Sequence, residues 1–297
     1  MGNVAYLKKL CSENLPVIFA GAFAAHMRET DRGNSANIYA GEVRRFGKWV
    51  SERHGEFQPQ SVTPLDLVEY RSWLQERGRA PATVNRILTT LRVFFAWLEE
   101  TGQVKGSPAK GIKSVAVNEE LAPKWLTRRE QMAFVHAVKG PRDRAMVALM
   151  LHAGLRVAEV CALKREDIEI SERKGTVKIR QGKGNKFRAV ALNKTARKIL
   201  SDWLALNPEG PLFPTKFGKP IGTRGARKMV GECAYRAKIE ATPHTLRHVF
   251  CKNLVDQGVP LDMVARLAGH SSLDITKRYT APSMQDLQDA VERTAWE

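Results

Sequence analysis

The chain has 297 residues, 43% of them hydrophobic and 27% charged, with 48 Lys+Arg against 31 Asp+Glu for a formal charge of +17. This length accommodates about two domains with sizeable cores, and the composition excludes disordered, collagen-like and disulfide-knotted classes. The excess cation points to a polyanionic partner, either nucleic acid or an anionic membrane surface.

The positive charge concentrates late in the chain: residues 1–115 carry 16 basic and 11 acidic side chains, and residues 116–297 carry 32 and 20. The apolar stretch Leu15 to Ala25 is far shorter than the ~20 residues that cross a bilayer. Lys8, Lys9 and Ala22-Phe23-Ala24 trace the outline of a secretion signal. Against that reading, Cys11, Glu13 and Pro16 interrupt the region, which continues into Met27-Arg28-Glu29 as an amphipathic helix would. Tyr39, Val43, Phe46, Trp49 and Val50 then recur at helical spacing until Gly55. Pro64 opens the next helix, stopped at Gly78, and Pro81 opens another with Val84, Ile87, Leu88, Leu91, Phe94, Phe95 and Leu98 on one face. With the Leu15–Arg28 segment, these predict a four-helix domain over residues 1–105 whose aromatic stripe is core.

Residues 106–124, rich in Gly, Pro and Lys, read as a basic linker, and a second domain follows over 125–297. Thr127-Arg-Arg-Glu130 has capping-box spacing and starts a helix near 128. Another runs from Pro141 to His152 and a short one passes through Val157, Val160 and Leu163. The period then changes. Thr176–Arg180 and Phe187–Leu192 flank Gly182-Lys183-Gly184-Asn185, a β-hairpin pattern. Helices are expected again over 194–206, 223–238, 245–257, 260–268 and 272–279. The fold class predicted is mainly α with a small β-hairpin or sheet element, the second domain being mixed α/β.

The four cysteines (Cys11, Cys161, Cys233, Cys251) lack the close spacing of a metal site or redox dithiol, and read as buried, reduced and inert in a cytoplasmic protein. Seven basic and no acidic residues lie between Arg173 and Arg188, and nine basic against two acidic between Lys216 and Lys252. Both stretches suit a phosphate backbone. In Pro243-His244-Thr-Leu-Arg247-His248, His244 and Arg247 share a helix face and can converge on one anionic oxygen. His244 and His248 also have the i,i+4 spacing of two zinc ligands, but Thr245 stands where the zinc-protease motif requires Glu. His270 falls at a glycine-ended helix junction, and Tyr279 follows in a polar, basic segment.

Together these residues resemble the tyrosine recombinases of the phage-integrase and Xer type. Ala153-Gly-Leu-Arg156-Val-Ala-Glu159-Val-Cys-Ala-Leu163 resembles the box that supplies the family's first arginine. Gly182-Lys183-Gly184-Asn185-Lys186 resembles the lysine hairpin, and His244-Thr-Leu-Arg247-His248 the His-x-x-Arg box. Leu267-Ala-Gly-His270 and Tyr279 resemble the remaining histidine and the nucleophile. The helical region before the linker resembles the family's core-binding, SAM-like domain.

The resemblance implies a site-specific DNA recombinase with catalytic residues Arg156, Lys183, His244, Arg247, His270 and Tyr279. Tyr279 would form a 3′-phosphotyrosyl intermediate, followed by strand exchange through a Holliday junction without metal, nucleotide or other cofactor. The arginines would bind phosphate oxygens, and Lys183 would protonate the leaving 5′-oxygen. The roles of His244 and His270, phosphate donor or proton acceptor, stay open. Glu159 either holds Arg156 or caps a helix, His248 is assigned to packing or support, and His26, His54, His136 and His152 are ordinary surface or core residues. Expected partners are double-stranded DNA with paired inverted half-sites, three further copies of the chain in a tetramer, and an accessory recombination protein, with no membrane. The acidic amphipathic tail from Met284 would dock on a neighbouring protomer or fold on its own domain. The expected uses are integration or excision of a mobile element, or resolution of DNA dimers, at a prokaryotic nucleoid. A type IB topoisomerase and a noncatalytic DNA-binding protein are the rival classes.

Overall fold

The computed structural model describes residues 2–30, 33–117, 125–180, 187–270, 272–280 and 284–296. They form two compact units, Met1–Glu119 and Glu120–Glu297.

The first unit is four helices: α1 (Gly2–Glu29), α2 (Ala36–His54), α3 (Pro64–Glu76) and α4 (Pro81–Glu100). Local chemistry sets their starts. Thr63 and Asp66 form a reciprocal capping box ahead of Pro64, and Pro81 occupies the first helical position, where its missing N–H costs nothing. The apolar stripe is core, as its spacing implied: Phe23, Phe46, Phe94, Phe95 and Leu98 are fully buried. Their rings meet edge to face, with Phe46 and Tyr70 centroids 5.0 Å apart and Phe23 and Phe94 5.3 Å apart. α1 departs from the expected Leu15–Arg28 span. It starts at Gly2 and continues through Pro16, whose ring packs so close to α2 that a Cβ on Gly47 would come within 2.8 Å of it. Helix contact with α2 overrides proline's ordinary breaking effect.

The second unit begins with α5 (Arg128–Ala137), α6 (Pro141–His152) and α7 (Val157–Ala162). The spacing of Thr127 and Glu130 does produce a capping box, in which each side chain accepts the other's backbone N–H. Three antiparallel strands follow, β1 (Ile168–Ile170), β2 (Gly175–Ile179) and β3 (Arg188–Ala191), in the order β1-β2-β3. β2 and β3 are the two arms of the expected hairpin, in the register Val177↔Val190. The turn between them, with Gly182-Lys183-Gly184-Asn185, lies outside the described residues. β1 was not expected, because three residues are too short to show a period; pairing with β2 makes it a strand.

The remaining helices are α8 (Lys194–Leu206), α9 (Thr223–Ala237), α10 (Pro243–Asp256), α11 (Leu261–Ala268), α12 (Asp274–Lys277) and α13 (Met284–Glu292). Two differ from expectation. α10 starts two residues early, because Thr242 caps it and Pro243 takes the first position, which puts His244 in the first turn. α12 is only four residues long within the expected 272–279. The acidic tail forms α13, on which Leu287 and Val291 are exposed. Among the described residues, no helix is long and apolar enough to cross a membrane.

Candidate active site

The site is built on the sharp turn between α6 and α7. Gly154 has φ +64°, and a Cβ there would sit 2.3 Å from the Phe250 ring of α10, so only glycine fits both the backbone and the space. The turn aims the Gly154 carbonyl at Arg247, which donates Nη1 to it at 2.5 Å. Gly154→Ala combines a left-handed alanine with an overpacked core and is expected to cost roughly 2–5 kcal/mol. Urea unfolding checks this, and a loss below ~0.5 kcal/mol would refute the packing argument.

Two residues on, Arg156 caps α7. Glu159 accepts the Arg156 backbone N–H at 2.8 Å and its Nη1 at 2.9 Å, so the alternatives of helix cap and arginine holder are both realised by one carboxylate. Arg156 also donates Nη2 to the Gly269 carbonyl at 2.8 Å, where Gly269 ends α11 in the left-handed region. Arg188 of β3, which sequence reasoning left among the basic residues of its stretch, forks onto the same Glu159, with Nη1 at 2.9 Å and Nη2 at 2.8 Å. Its guanidinium fills the space that a Cβ on Gly269 would need, 2.8 Å from it. Its only sequence signal was charge.

α10 supplies the next group. Arg247 is buried to 2% exposure, and its Nη2 has no hydrogen-bond partner among the described residues. His244, one turn earlier, is exposed and its ring lies 4.1 Å from that of His248. His248, assigned to packing or support, has its Nδ1 2.7 Å from the Tyr279 hydroxyl, a partner that its place in the sequence did not reveal. His270 Nδ1 is held by the buried Thr276 hydroxyl at 2.8 Å, and its ring lies near-parallel to Tyr279, with centroids 6.1 Å apart. Tyr279 is 1% exposed, with Cys251 beside its phenol. Cys251, expected to be inert packing, thus abuts the phenol. Arg156, His244, Arg247, His270 and Tyr279 therefore share one neighbourhood, while Lys183 lies outside the described residues.

The electrostatics are strongly one-signed. Burial and the Arg156 charge push Arg247 down to about 10, still cationic at neutral pH. Burial, then the neighbouring His244 and the Arg278 and Arg247 cations, bring His248 down to about 4. Burial with Arg247 and Arg156 does the same for His270. Burial alone would raise the Glu159 carboxyl, but hydrogen bonds from Arg188 and Arg156 hold it below the usual carboxylate range. Burial and Cys251 push the Tyr279 phenol up. Two guanidinium groups thus hold one carboxylate, and the donor of Arg247 that is unpartnered among the described residues suits an additional anion. Among the described residues, no cluster of three or more His, Cys, Asp or Glu is arranged to hold a metal ion.

The fold and this set of side chains agree with the comparisons. The phage integrase family model matches residues 124–286, and the family's N-terminal SAM-like domain model matches residues 22–102. The chain belongs to the phage integrase family, the tyrosine recombinases, enzymes of site-specific recombination that break and rejoin DNA strands. It is 30% identical over 286 residues to tyrosine recombinase XerC of Thermodesulfovibrio yellowstonii, covering 90% of this chain and 92% of that protein. It is 28% identical to tyrosine recombinase XerD of Halalkalibacterium halodurans, covering 89% and 93%. In fold it is similar to the XerH site-specific recombinase in its pre-cleavage complex with difH substrate, with a TM-score of 0.73 at 20% identity over 96% of this chain and 97% of that one.

Proposed function

We propose that the second unit cleaves one strand of duplex DNA by attack of Tyr279 on a phosphodiester, leaving a 3′-phosphotyrosyl link and a free 5′-hydroxyl. A 5′-hydroxyl from a partner strand then reverses the step, and the exchange proceeds through a Holliday junction. The supporting observation is the buried Arg247 guanidinium, whose Nη2 is unpartnered among the described residues beside Arg156. Such a donor favours a ligand with two acceptor oxygens, and a phosphodiester presents two nonbridging ones.

Arg156 and Arg247 bind those oxygens and stabilise the charge that grows on them in the pentacoordinate transition state. Glu159, clamped by Arg188, fixes the Arg156 fork. Lys183 protonates the leaving 5′-oxygen. His270, its Nδ1 engaged by Thr276, is oriented to donate its other nitrogen to phosphate. The phenol is buried in the free protein, so the groups that cover it open before it meets DNA, while its bond to His248 is kept.

The arginines do the electrostatic work of a metal, and exchanging one phosphoester for another conserves bond energy, so neither metal nor nucleotide takes part. The covalent adduct formed on a nicked suicide substrate is expected at an unchanged rate in EDTA, and strict metal dependence would overturn this account. Residues 1–105 bind DNA as the core-binding domain, 106–124 link, and 125–297 catalyse. The two units hold duplex DNA, with four copies assembled on two paired inverted half-sites, in the cytoplasm at the nucleoid. The biological use is integration or excision of a mobile element, or resolution of DNA dimers, with an accessory protein where one is needed. Strand exchange between two separate sites, as opposed to relaxation of a supercoiled plasmid alone, distinguishes this reading from a topoisomerase.

A further inference from the structure

We propose that His248 is a further catalytic residue: the base that takes the Tyr279 proton as the phenol oxygen attacks phosphorus. The inference rests on Tyr279 being the nucleophile, as proposed above.

Two histidines lie against the phenol and a third lies against one of them, and their geometry separates them. His270 has its Nδ1 on the Thr276 hydroxyl and meets Tyr279 only face to face, a contact that cannot carry a proton. His244 is exposed and its ring meets His248. His248 alone among the described histidines has a nitrogen at hydrogen-bond distance from the reacting atom, 2.7 Å from Oη. The groups around it dictate the direction of that bond. Burial, then His244 and the Arg278 and Arg247 cations, favour a neutral imidazole, while the buried phenol keeps its proton. The phenol therefore donates and Nδ1 accepts, which is the ground-state form of the transfer.

An incoming phosphodiester offsets the part of this depression that comes from Arg278 and Arg247, so the basicity of His248 rises when substrate binds. As the Oη–P bond forms and the P–O5′ bond breaks, the phenol proton passes to Nδ1 and His248 becomes imidazolium. The leaving 5′-oxygen takes its proton from Lys183. In rejoining, the imidazolium returns the proton to Oη as the phosphotyrosyl bond breaks.

The test is single-turnover cleavage of a suicide DNA substrate by the full-length His248→Gln and His248→Asn variants. Both amides can hydrogen-bond the phenol, but neither can accept its proton. Both are expected to cleave ~100-fold or more slowly, with DNA affinity and melting temperature unchanged. Replacing Tyr279 by difluorotyrosine, whose more acidic phenol needs less help, should recover at least ~10-fold of that loss. Cleavage by either folded variant at the wild-type rate or faster overturns the proposal, because His248 would then only restrain the buried tyrosine. A slow rate that difluorotyrosine leaves untouched also overturns it and makes His248 a positioning residue. If the otherwise wild-type Tyr279→Phe control still forms the covalent adduct, the failure lies in the nucleophile assignment and not in His248.

Discussion

Tyr279→Phe is expected to abolish the covalent protein–DNA adduct completely while leaving DNA affinity within about twofold of wild type, since affinity comes mostly from phosphate contacts spread over a basic surface. The substitution deletes one atom. Its loss breaks the bond to His248, but the ring keeps its place between His248 and His270. Stability should fall by no more than about 1 kcal/mol, a typical net value for a hydrogen bond. Denaturing gel analysis of a suicide-substrate reaction, paired with a filter-binding titration, reads both quantities. An adduct formed by the phenylalanine variant would exclude Tyr279 as nucleophile. Loss of adduct and binding together would mean that the variant had misfolded, which its melting temperature reports.

Arg247 should show the opposite division between stability and activity. In the free protein its guanidinium is 2% exposed and carries an Nη2 unpartnered among the described residues, with Arg156 and Arg188 adding repulsion. A buried charge of this kind destabilises the fold that contains it, and methionine fills similar volume without it. Arg247→Met is therefore expected to unfold within about 1 kcal/mol of wild type, the lost bond to Gly154 being offset by relief of the charge. Its cleavage rate should fall ~1,000-fold, the scale seen when one preorganised donor is removed from a developing oxyanion. Arg247→Lys keeps the charge but not the planar fork, and should fall by ~100-fold. Single-turnover kinetics beside urea unfolding separate the two effects. A methionine variant that is strongly destabilised, or one that cleaves within tenfold of wild type, would show that Arg247 serves the fold and not the phosphate.

Much of the architecture was legible because its signals are local. Thr127 with Glu130, Pro64 and Pro81 mark helix starts within a single turn, where capping and the proline ring act directly on the backbone. Helical spacing of Phe94, Phe95 and Leu98 told which face of α4 is core. Where the sequence misled, contact with a distant segment decided in two cases and a local start signal in a third. Pro16 sits inside α1 because Gly47 lets α2 approach it, β1 is a strand because β2 pairs with it, and α10 starts two residues early because Thr242 and Pro243 outweigh the apolar pattern as its starting signal.

By itself, then, the order of residues determined the helical first domain, the hairpin arms and the family, since spacing and residue type are properties a chain has before it folds. Only the tertiary structure decided which atoms meet at the site. Glu159 is shared by arginines 3 and 29 residues away, Arg156 reaches a carbonyl 113 residues on, and His248 meets a phenol 31 residues away. A chain long enough to bury a guanidinium can bring such partners together from any separation, and packing selects which ones touch. That is why Arg188, read as part of a basic stretch, became the clamp on Glu159, and why His248, read as packing or support, meets the Tyr279 phenol.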